Sequence, residues 1–484
     1  MPTYASYTKT KRLWMIAYGE KQIENCRLET EIKMERERLN SRLGFILLSA
    51  GCAIGIGNVW KFPYMVGMYG GAAFVLIYLF FLVVMGIPVM TMEFALGRAS
   101  QKSPVKLYQE LEPKGSKWHM HGYVAMAGNY ILMMFYTNVA GWMLQYFVKM
   151  AKGDFAGADS AMVTAEFNEM MARPGTMTLY MLIAVVIGFV ICAMGVQKGV
   201  EKITKWMMLA LLFIMVVLAV NSIFLEGGQE GLRFYLLPDL SRMQEAGIGN
   251  VIVAAMNQAF FTLSLGMGGM AVFGSYIGKE RALMGEAVNV AVLDTFVALA
   301  SGLIIFPACF AYDVPVTSGP NLIFVTLPNV FNNLPGGRFW GSLFFVFMSF
   351  AALSTVIGVF ENIISCCCDL FKISRKKASL INGVLMFFLS LPCVLGCNVW
   401  SSFQPLGKGT GVLDLEDFVV SNLILPIGSL IFVIFCTTRY GWGWDKFVEE
   451  ANTGKGLKVA RWMRCYMTFV LPVIVLVLFL VGIL

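Results

Sequence analysis

Two short runs of the chain place glycine and oxygen-bearing residues where a continuous helix would be the safe choice. The first reads Gly51-Cys-Ala-Ile-Gly-Ile-Gly-Asn58 and the second Ser264-Leu-Gly-Met-Gly-Gly269, with Thr262 just ahead of it; both sit inside apolar stretches. Glycine in a helix interior costs about 1 kcal/mol relative to alanine, so three or more within eight residues argue for unwound backbone. Unwinding frees amides and carbonyls at the middle of a membrane, where they are stable only if something polar meets them. Half-helix N-termini suit a carboxylate, and bare carbonyls suit a hard cation. Close packing of helices through small residues is the competing account of either run taken alone.

The polar side chains near these runs are oxygen donors: Asn58, Thr262, Asp294, and Ser354 and Thr355 of the stretch Ala351-Ala-Leu-Ser-Thr355. With no soft ligand among them, the set suits Na⁺ rather than a transition metal. Glu93, Asp294 and Glu361 all lie within apolar segments, where a charge costs roughly 2.5–3.5 kcal/mol on insertion scales and calls for an internal partner. Asp294 reads as an ion ligand. Glu93 and Glu361 read either that way or as structural acids hydrogen-bonded to backbone freed by a break. Tyr136 and Phe261 would line the same cavity or simply fill the core. The loops show no nucleophile and base pair, phosphate loop or metal motif, which disfavours an enzyme.

The elements that must position these groups are membrane helices. Of 484 residues, 58% are hydrophobic and 14% charged, against roughly 25% charged in a soluble domain. The apolar residues come in blocks of about 20, the length that crosses some 30 Å of hydrocarbon as a helix, without the alternation of a β-barrel. Eleven spans follow, at 42–64, 71–97, 123–148, 178–194, 200–225, 251–277, 286–311, 339–371, 379–396, 418–438 and 465–484. The two glycine runs fall in spans one and six, the first members of two successive sets of five. That predicts a five-plus-five inverted repeat with two broken helices and one extra span, and discontinuous helices at matching positions mark a transport site. The expected organisation is a cytoplasmic leader at 1–40, a first repeat at 41–225, a second at 226–438 that includes an extracellular loop, and a cytoplasmic loop with the eleventh helix at 439–484.

The first 41 residues are polar and carry Lys and Arg with no apolar central stretch, unlike a cleavable signal peptide, so span one would serve as the insertion signal. Alternatively Met34 is the natural start, leaving a short charged leader from Met34 to Ser41. Loops on the N-terminal side hold 29 of the 37 Lys and Arg residues, and those on the other side hold six, Lys152, Arg173, Arg233, Arg242, Arg338 and Lys408. This asymmetry predicts a cytoplasmic N-terminus and, with an odd number of spans, an extracytoplasmic C-terminus in the plasma (inner) membrane. Anionic lipid on that face accounts for the net charge of +7 without a nucleic-acid partner. The 11 Cys, including the run Cys366–Cys368 and the pair Cys393 and Cys397, lack zinc-site spacing, and His119 and His121 alone cannot build a metal site.

Two motifs are more specific. Gly55-Ile-Gly-Asn-Val-Trp-Lys-Phe-Pro63, followed by Gly70-Gly-Ala-Ala-Phe74, and Gln258-Ala-Phe-Phe-Thr-Leu-Ser-Leu-Gly266 resemble the neurotransmitter:sodium symporters, and more closely their bacterial amino-acid transporters. The likeness runs from about Ser41 to Leu484. It implies two sodium sites. One would use the carbonyl of Ala53, the side chains of Asn58 and Asp294, Thr262 by carbonyl and hydroxyl, and the carboxylate of the amino-acid substrate. The other would use the carbonyls of Gly51, Ile54 and Ala351 with the hydroxyls of Ser354 and Thr355. The resemblance also implies a substrate site of Ala53, Gly55, Gly57, Leu132, Tyr136, Phe261, Thr262, Ser264, Met267, Ser354 and Val359. There the carboxylate would meet amides near Gly57 and the Tyr136 hydroxyl, and the amine would meet carbonyls near Phe261, Thr262 and Ser264. A mostly apolar wall favours a neutral side chain, and Met267-Gly-Gly-Met270 leaves room for a bulky or aromatic one. Gates would be Lys61 with Asp417 and Tyr136 over Phe261 outside, and Arg36 with Asp369 and Tyr276 inside, opened alternately.

The chain departs from the family pattern at three places. Lys61 stands where Arg is usual, losing a bidentate fork. Leu39 stands where an aromatic is usual near the inner gate. In span seven, Asp294 and Ala298 occupy positions where animal members have Asn and a chloride-binding Ser, so a fixed carboxylate would replace the anion and transport would be chloride-independent. The resulting expectation is sodium-coupled import of neutral hydrophobic or aromatic L-amino acids. A non-transporting amino-acid sensor on the same scaffold is the alternative, which a long soluble output domain would favour. An ion channel would require a continuous polar lining.

Overall fold

Hydropathy and proline placement account for most of the architecture. The computed structural model describes residues 37–312 and 321–483; Met34 and Arg36, and with them one half of the expected inner gate, lie outside these. From Arg38 onward the chain forms one unit. Among the described residues it is helical apart from turns and one isolated bridge between Arg281 and Lys455. Nine helices among the described residues are each long and apolar enough to cross a membrane: Ala72–Ser100, His119–Lys152, Pro174–Ala193, Val196–Ile223, Leu283–Ala311, Gly337–Phe371, Arg375–Gly396, Val412–Thr437 and Met463–Gly482. They match spans two to five and seven to eleven. Span one is a pair, Arg42–Ala53 and Gly57–Met68, bent by 57° at the glycine run. The sixth consists of Ile248–Thr262 and Gly269–Gly274, each too short to cross alone. Eleven crossings are reached only when these two halves are taken as one.

Helix ends run past the hydropathic limits where polar residues can cap them. Span nine begins at Arg375 rather than 379, because Ser374 caps it by accepting from the Lys377 amide at 3.4 Å, and the cost of Arg and Lys in a first turn is small when their heads reach water.

Five spans or connecting helices contain a wide π-helical turn directly before proline. The amides of Phe62, Ile87, Leu327, Leu425 and Leu471 donate to the carbonyls of Gly57, Leu82, Leu322, Val420 and Tyr466, five residues back, and each is followed by Pro63, Pro88, Pro328, Pro426 or Pro472. Proline supplies no amide and its ring crowds the carbonyl four residues earlier. A locally wider turn moves that carbonyl aside while the helix continues.

The bundle has an inside and an outside. Spans three and eight are its most enclosed members, with 72% and 83% of their apolar cores buried, whereas span eleven is only 22% buried. At one end a fully buried arginine ties three segments together. Arg98, at the end of span two, pairs through Nε with Glu450 Oε1 at 2.6 Å, donates to the carbonyl of Arg281 at 2.7 Å, and donates to the carbonyl of Glu450. Glu450 belongs to the short helix Trp444–Ala451. Lys455 and Glu280 add a backbone hydrogen bond of 2.9 Å between the same two loops.

Candidate functional site

Where the backbone unwinds, the freed groups are met by buried side chains, most of them from other spans. The Ile56 amide donates to the Tyr136 hydroxyl at 3.0 Å and the Gly55 amide to Asn58 Oδ1 at 3.1 Å. The carbonyl of Gly57 accepts from Gln258 Nε2 at 3.2 Å, and that of Asn58 accepts from the Ser301 hydroxyl at 2.7 Å. In the sixth span Glu93 accepts from the Gly266 amide at 2.7 Å, while Asn129 and Asn362 both donate to the carbonyl of Met267, at 3.0 and 3.2 Å. An unpaired backbone group in hydrocarbon costs several kcal/mol, so these side chains permit the breaks to exist. Glu93 is thus hydrogen-bonded to backbone freed by a break. Glu361 instead accepts from the Tyr276 hydroxyl at 2.5 Å and pairs with Arg375 at 2.5 Å.

The second break bends through the left-handed region at Ser264 (φ 50°), Gly266 (φ 95°) and Gly268 (φ 73°). Gly266 lies flat against span ten: a Cβ there would come within 2.3 Å of the Leu425 carbonyl oxygen. Gly55 has a different reason to be glycine. A Cβ on it would stand 2.3 Å from Tyr136 Oη and 2.6 Å from Thr355 Oγ1, so it separates two functional hydroxyls by the least possible bulk.

The residues expected to hold sodium form two oxygen clusters. In one, Asn58 Nδ2 donates to Asp294 Oδ1 at 2.8 Å and to Thr262 Oγ1 at 3.0 Å, and Thr262 Oγ1 donates to Asp294 Oδ2 at 2.9 Å. Asn58, Thr262 and Asp294 are all buried. Ala53 and Thr262 are the last residues of their half-helices, so two negative dipole ends converge here. In the other cluster, the Ser354 hydroxyl donates to the carbonyls of Ala351 at 3.0 Å and Ile54 at 3.4 Å. Thr355 Oγ1 lies 3.2 Å from the Ile54 carbonyl and 3.4 Å from those of Gly51 and Ala351. These five neutral oxygens from spans one and eight have the hard-donor chemistry that suits Na⁺.

Between the two breaks lies a narrow cavity of about 20 Å³, lined by Ala53, Gly55, Gly57, Leu132, Tyr136, Phe261, Ser264, Met267, Thr355, Val420 and Leu425. Eight of the expected substrate residues are on this wall. Thr262, Ser354 and Val359 are not: the first two are turned into the oxygen clusters, and Val359 is buried in span eight. Val420 and Leu425 complete the wall from the wide turn of span ten, a contribution the sequence reading missed; Pro426 was its available signal. At the Gly57 end, Lys61 Nζ sits 3.8 Å from the centre of the Phe261 ring and 3.6 Å from Asp417 Oδ2. At the other end, Asp369 accepts from the Ser103 amide at 2.7 Å, and the carbonyl of Tyr276 accepts from the Leu39 amide at 3.2 Å. Tyr276 and Asp369 therefore stand at one end of the bundle and Lys61 and Asp417 at the other, with the cavity between.

Comparison with known proteins agrees with the fold. The chain matches the model of the sodium:neurotransmitter symporter family over residues 36–169 and 160–484. It is 33% identical over 447 residues to the uncharacterized sodium-dependent transporter YhdH of Bacillus subtilis, covering 92% of this chain and 97% of that protein. It is 25% identical to the sodium-dependent serotonin transporter of Drosophila melanogaster, covering 93% of this chain and 76% of that one. Among solved structures, MhsT in complex with L-phenylalanine superposes with a TM-score of 0.83 at 36% identity, covering 92% of this chain and all of that one.

Proposed function

The chain belongs to the sodium:neurotransmitter symporter family, a family of sodium-dependent membrane transporters rather than enzymes, and from that premise we propose that it imports neutral hydrophobic or aromatic L-amino acids with Na⁺. The observation that carries this reading is the closed arrangement of Asn58, Thr262 and Asp294 beside a cavity with a mostly apolar wall. A zwitterion placed there has its carboxylate next to the Gly57 amide, the Tyr136 hydroxyl and the first ion, so ion and substrate stabilise each other by direct contact. The second ion, held by Gly51, Ile54, Ala351, Ser354 and Thr355, fixes span one to span eight. Leu132, Phe261, Met267, Val420 and Leu425 give the side chain an apolar wall, which must part to admit it because the cavity as it stands is about 20 Å³. The similar MhsT structure holds L-phenylalanine, which supports a bulky apolar substrate here.

Import proceeds by alternating access. Lys61, Asp417 and Phe261 form the outer closure, and Tyr276 and Asp369 the inner one. The excess of basic residues in the loops on the N-terminal side supports a multi-pass protein of the plasma (inner) membrane with a cytoplasmic N-terminus and an extracytoplasmic C-terminus. The carboxylate of Asp294 makes chloride unnecessary. Scintillation binding of the twenty amino acids to purified protein, with and without Na⁺, tests the assignment. Tighter binding of Phe, Leu, Ile, Val, Tyr or Trp with Na⁺ is expected; sodium-insensitive binding of all twenty would overturn it.

A further inference from the structure

Away from the midplane a groove of about 540 Å³ opens on the flank of the bundle, between the end of span four, span five and the middle of span eight. Met194, Trp206, Met207 and Phe350 form its walls, and Lys198 and Lys202 stand at one end. Trp206 is 66% exposed and Phe213, further along the same helix, 71%, so in a membrane-spanning chain this flank faces lipid. From Lys198 to Ala210 the groove follows span five for about 18 Å. That is close to one leaflet of a bilayer whose hydrocarbon is roughly 30 Å thick.

The two lysines are four residues apart on one helical face, a spacing at which like charges repel. Neither forms an ion pair within the described residues. The adjacent acid, Glu201, is turned inward, where it accepts from the Asn40 amide at 2.8 Å and the Ser41 hydroxyl at 3.0 Å. The groove therefore presents an apolar floor one leaflet deep, capped by two uncompensated cations and a tryptophan of the kind that settles at membrane interfaces.

We propose that this groove binds a phospholipid with an anionic head group, the phosphate between Lys198 and Lys202 and an acyl chain along Trp206 and Phe350. A basic residue near a membrane surface contributes about 1 kcal/mol toward anionic lipid, about fivefold each.

The test uses the full protein in nanodiscs of phosphatidylcholine doped with an equal fraction of either phosphatidylglycerol or phosphatidylcholine carrying brominated chains, reading tryptophan quenching. The part due to Trp206 is the difference from Trp206→Phe. Brominated phosphatidylglycerol is expected to quench Trp206 at a severalfold lower mole fraction than brominated phosphatidylcholine. Lys198→Gln with Lys202→Gln removes that preference, and Lys198→Arg with Lys202→Arg retains it; all three positions changed, these two and Trp206, carry solvent- or lipid-exposed side chains. Equal quenching by the two lipids in the parent protein, or a preference unchanged in the double glutamine variant, would overturn the proposal. So would loss of the preference on adding inorganic phosphate, since the site would then recognise a free anion and not a lipid.

Discussion

At the scale of single residues, the proposed site presents hydroxyls and amides whose partners are already in place. Thr355 touches three carbonyls of one cluster and borders the cavity through Gly55. Thr355→Val keeps the shape and removes the oxygen, so the Na⁺ concentration for half-maximal uptake should rise by about tenfold; an unchanged sodium curve would remove Thr355 from the ion site. Asp294 provides the second residue-scale prediction. Parent uptake should be the same in chloride and in gluconate, whereas Asp294→Asn combined with Ala298→Ser should make it fall in gluconate. A strict chloride requirement in the parent would contradict the role given to the Asp294 carboxylate. The oxygen donors themselves were readable from the sequence, because buried Asp, Asn and Thr in apolar spans need partners. Their supporting residues were not. Ser301 on the Asn58 carbonyl, Gln258 on the Gly57 carbonyl, and Asn129 with Asn362 on the Met267 carbonyl depend on how helices are rotated against one another, and hydropathy carries no information about rotation.

At the scale of elements, the decisive features are interruptions. Glycine runs announced the two breaks, and span one bends by 57° where the first run stands. The wide turns were overlooked although their sequence mark is plain: an apolar residue followed by proline well inside a span, as at Leu425 and Pro426. Pro307 and Pro392 also lie inside helices but without such a turn, so proline alone does not decide the matter; the packing of neighbouring carbonyls does. The break in span six is the more tightly constrained of the two. Gly266→Ala would force a left-handed conformation and a contact of 2.3 Å with the Leu425 carbonyl, and should destabilise the protein by roughly 2 kcal/mol or more. Gly249→Ala, in the same span with open space around its Cβ position, should be neutral or stabilising by up to about 1 kcal/mol. Melting temperatures of the two variants in detergent separate these outcomes, and equal melting would show that the left-handed bend is not needed.

At the scale of the molecule, the two ends are fastened unequally. At the mouth of the cavity Lys61 pairs with Asp417, 3.6 Å apart with both side chains about one-third exposed, a contact worth less than about 1 kcal/mol. Lys61→Arg restores a bidentate fork and should slow substrate release toward that side, seen as a longer residence time in dissociation of bound amino acid; faster release would show that the pair does not control closure. The other end carries Tyr276 and Glu361 with Arg375, Asp369 on the Ser103 amide, and buried Arg98 clamping the loops around Arg281 and Glu450. The helical, membrane-spanning architecture was legible from composition, but this inequality was not, because it joins residues 180 and 352 positions apart. Freeing the Arg98 end means breaking several short bonds at once, an enthalpic barrier, whereas the cavity mouth at Lys61 parts by exchanging one loose contact with Asp417 for water. Warming should therefore quicken complete turnover steeply while leaving amino-acid capture almost as fast in the cold as in the heat.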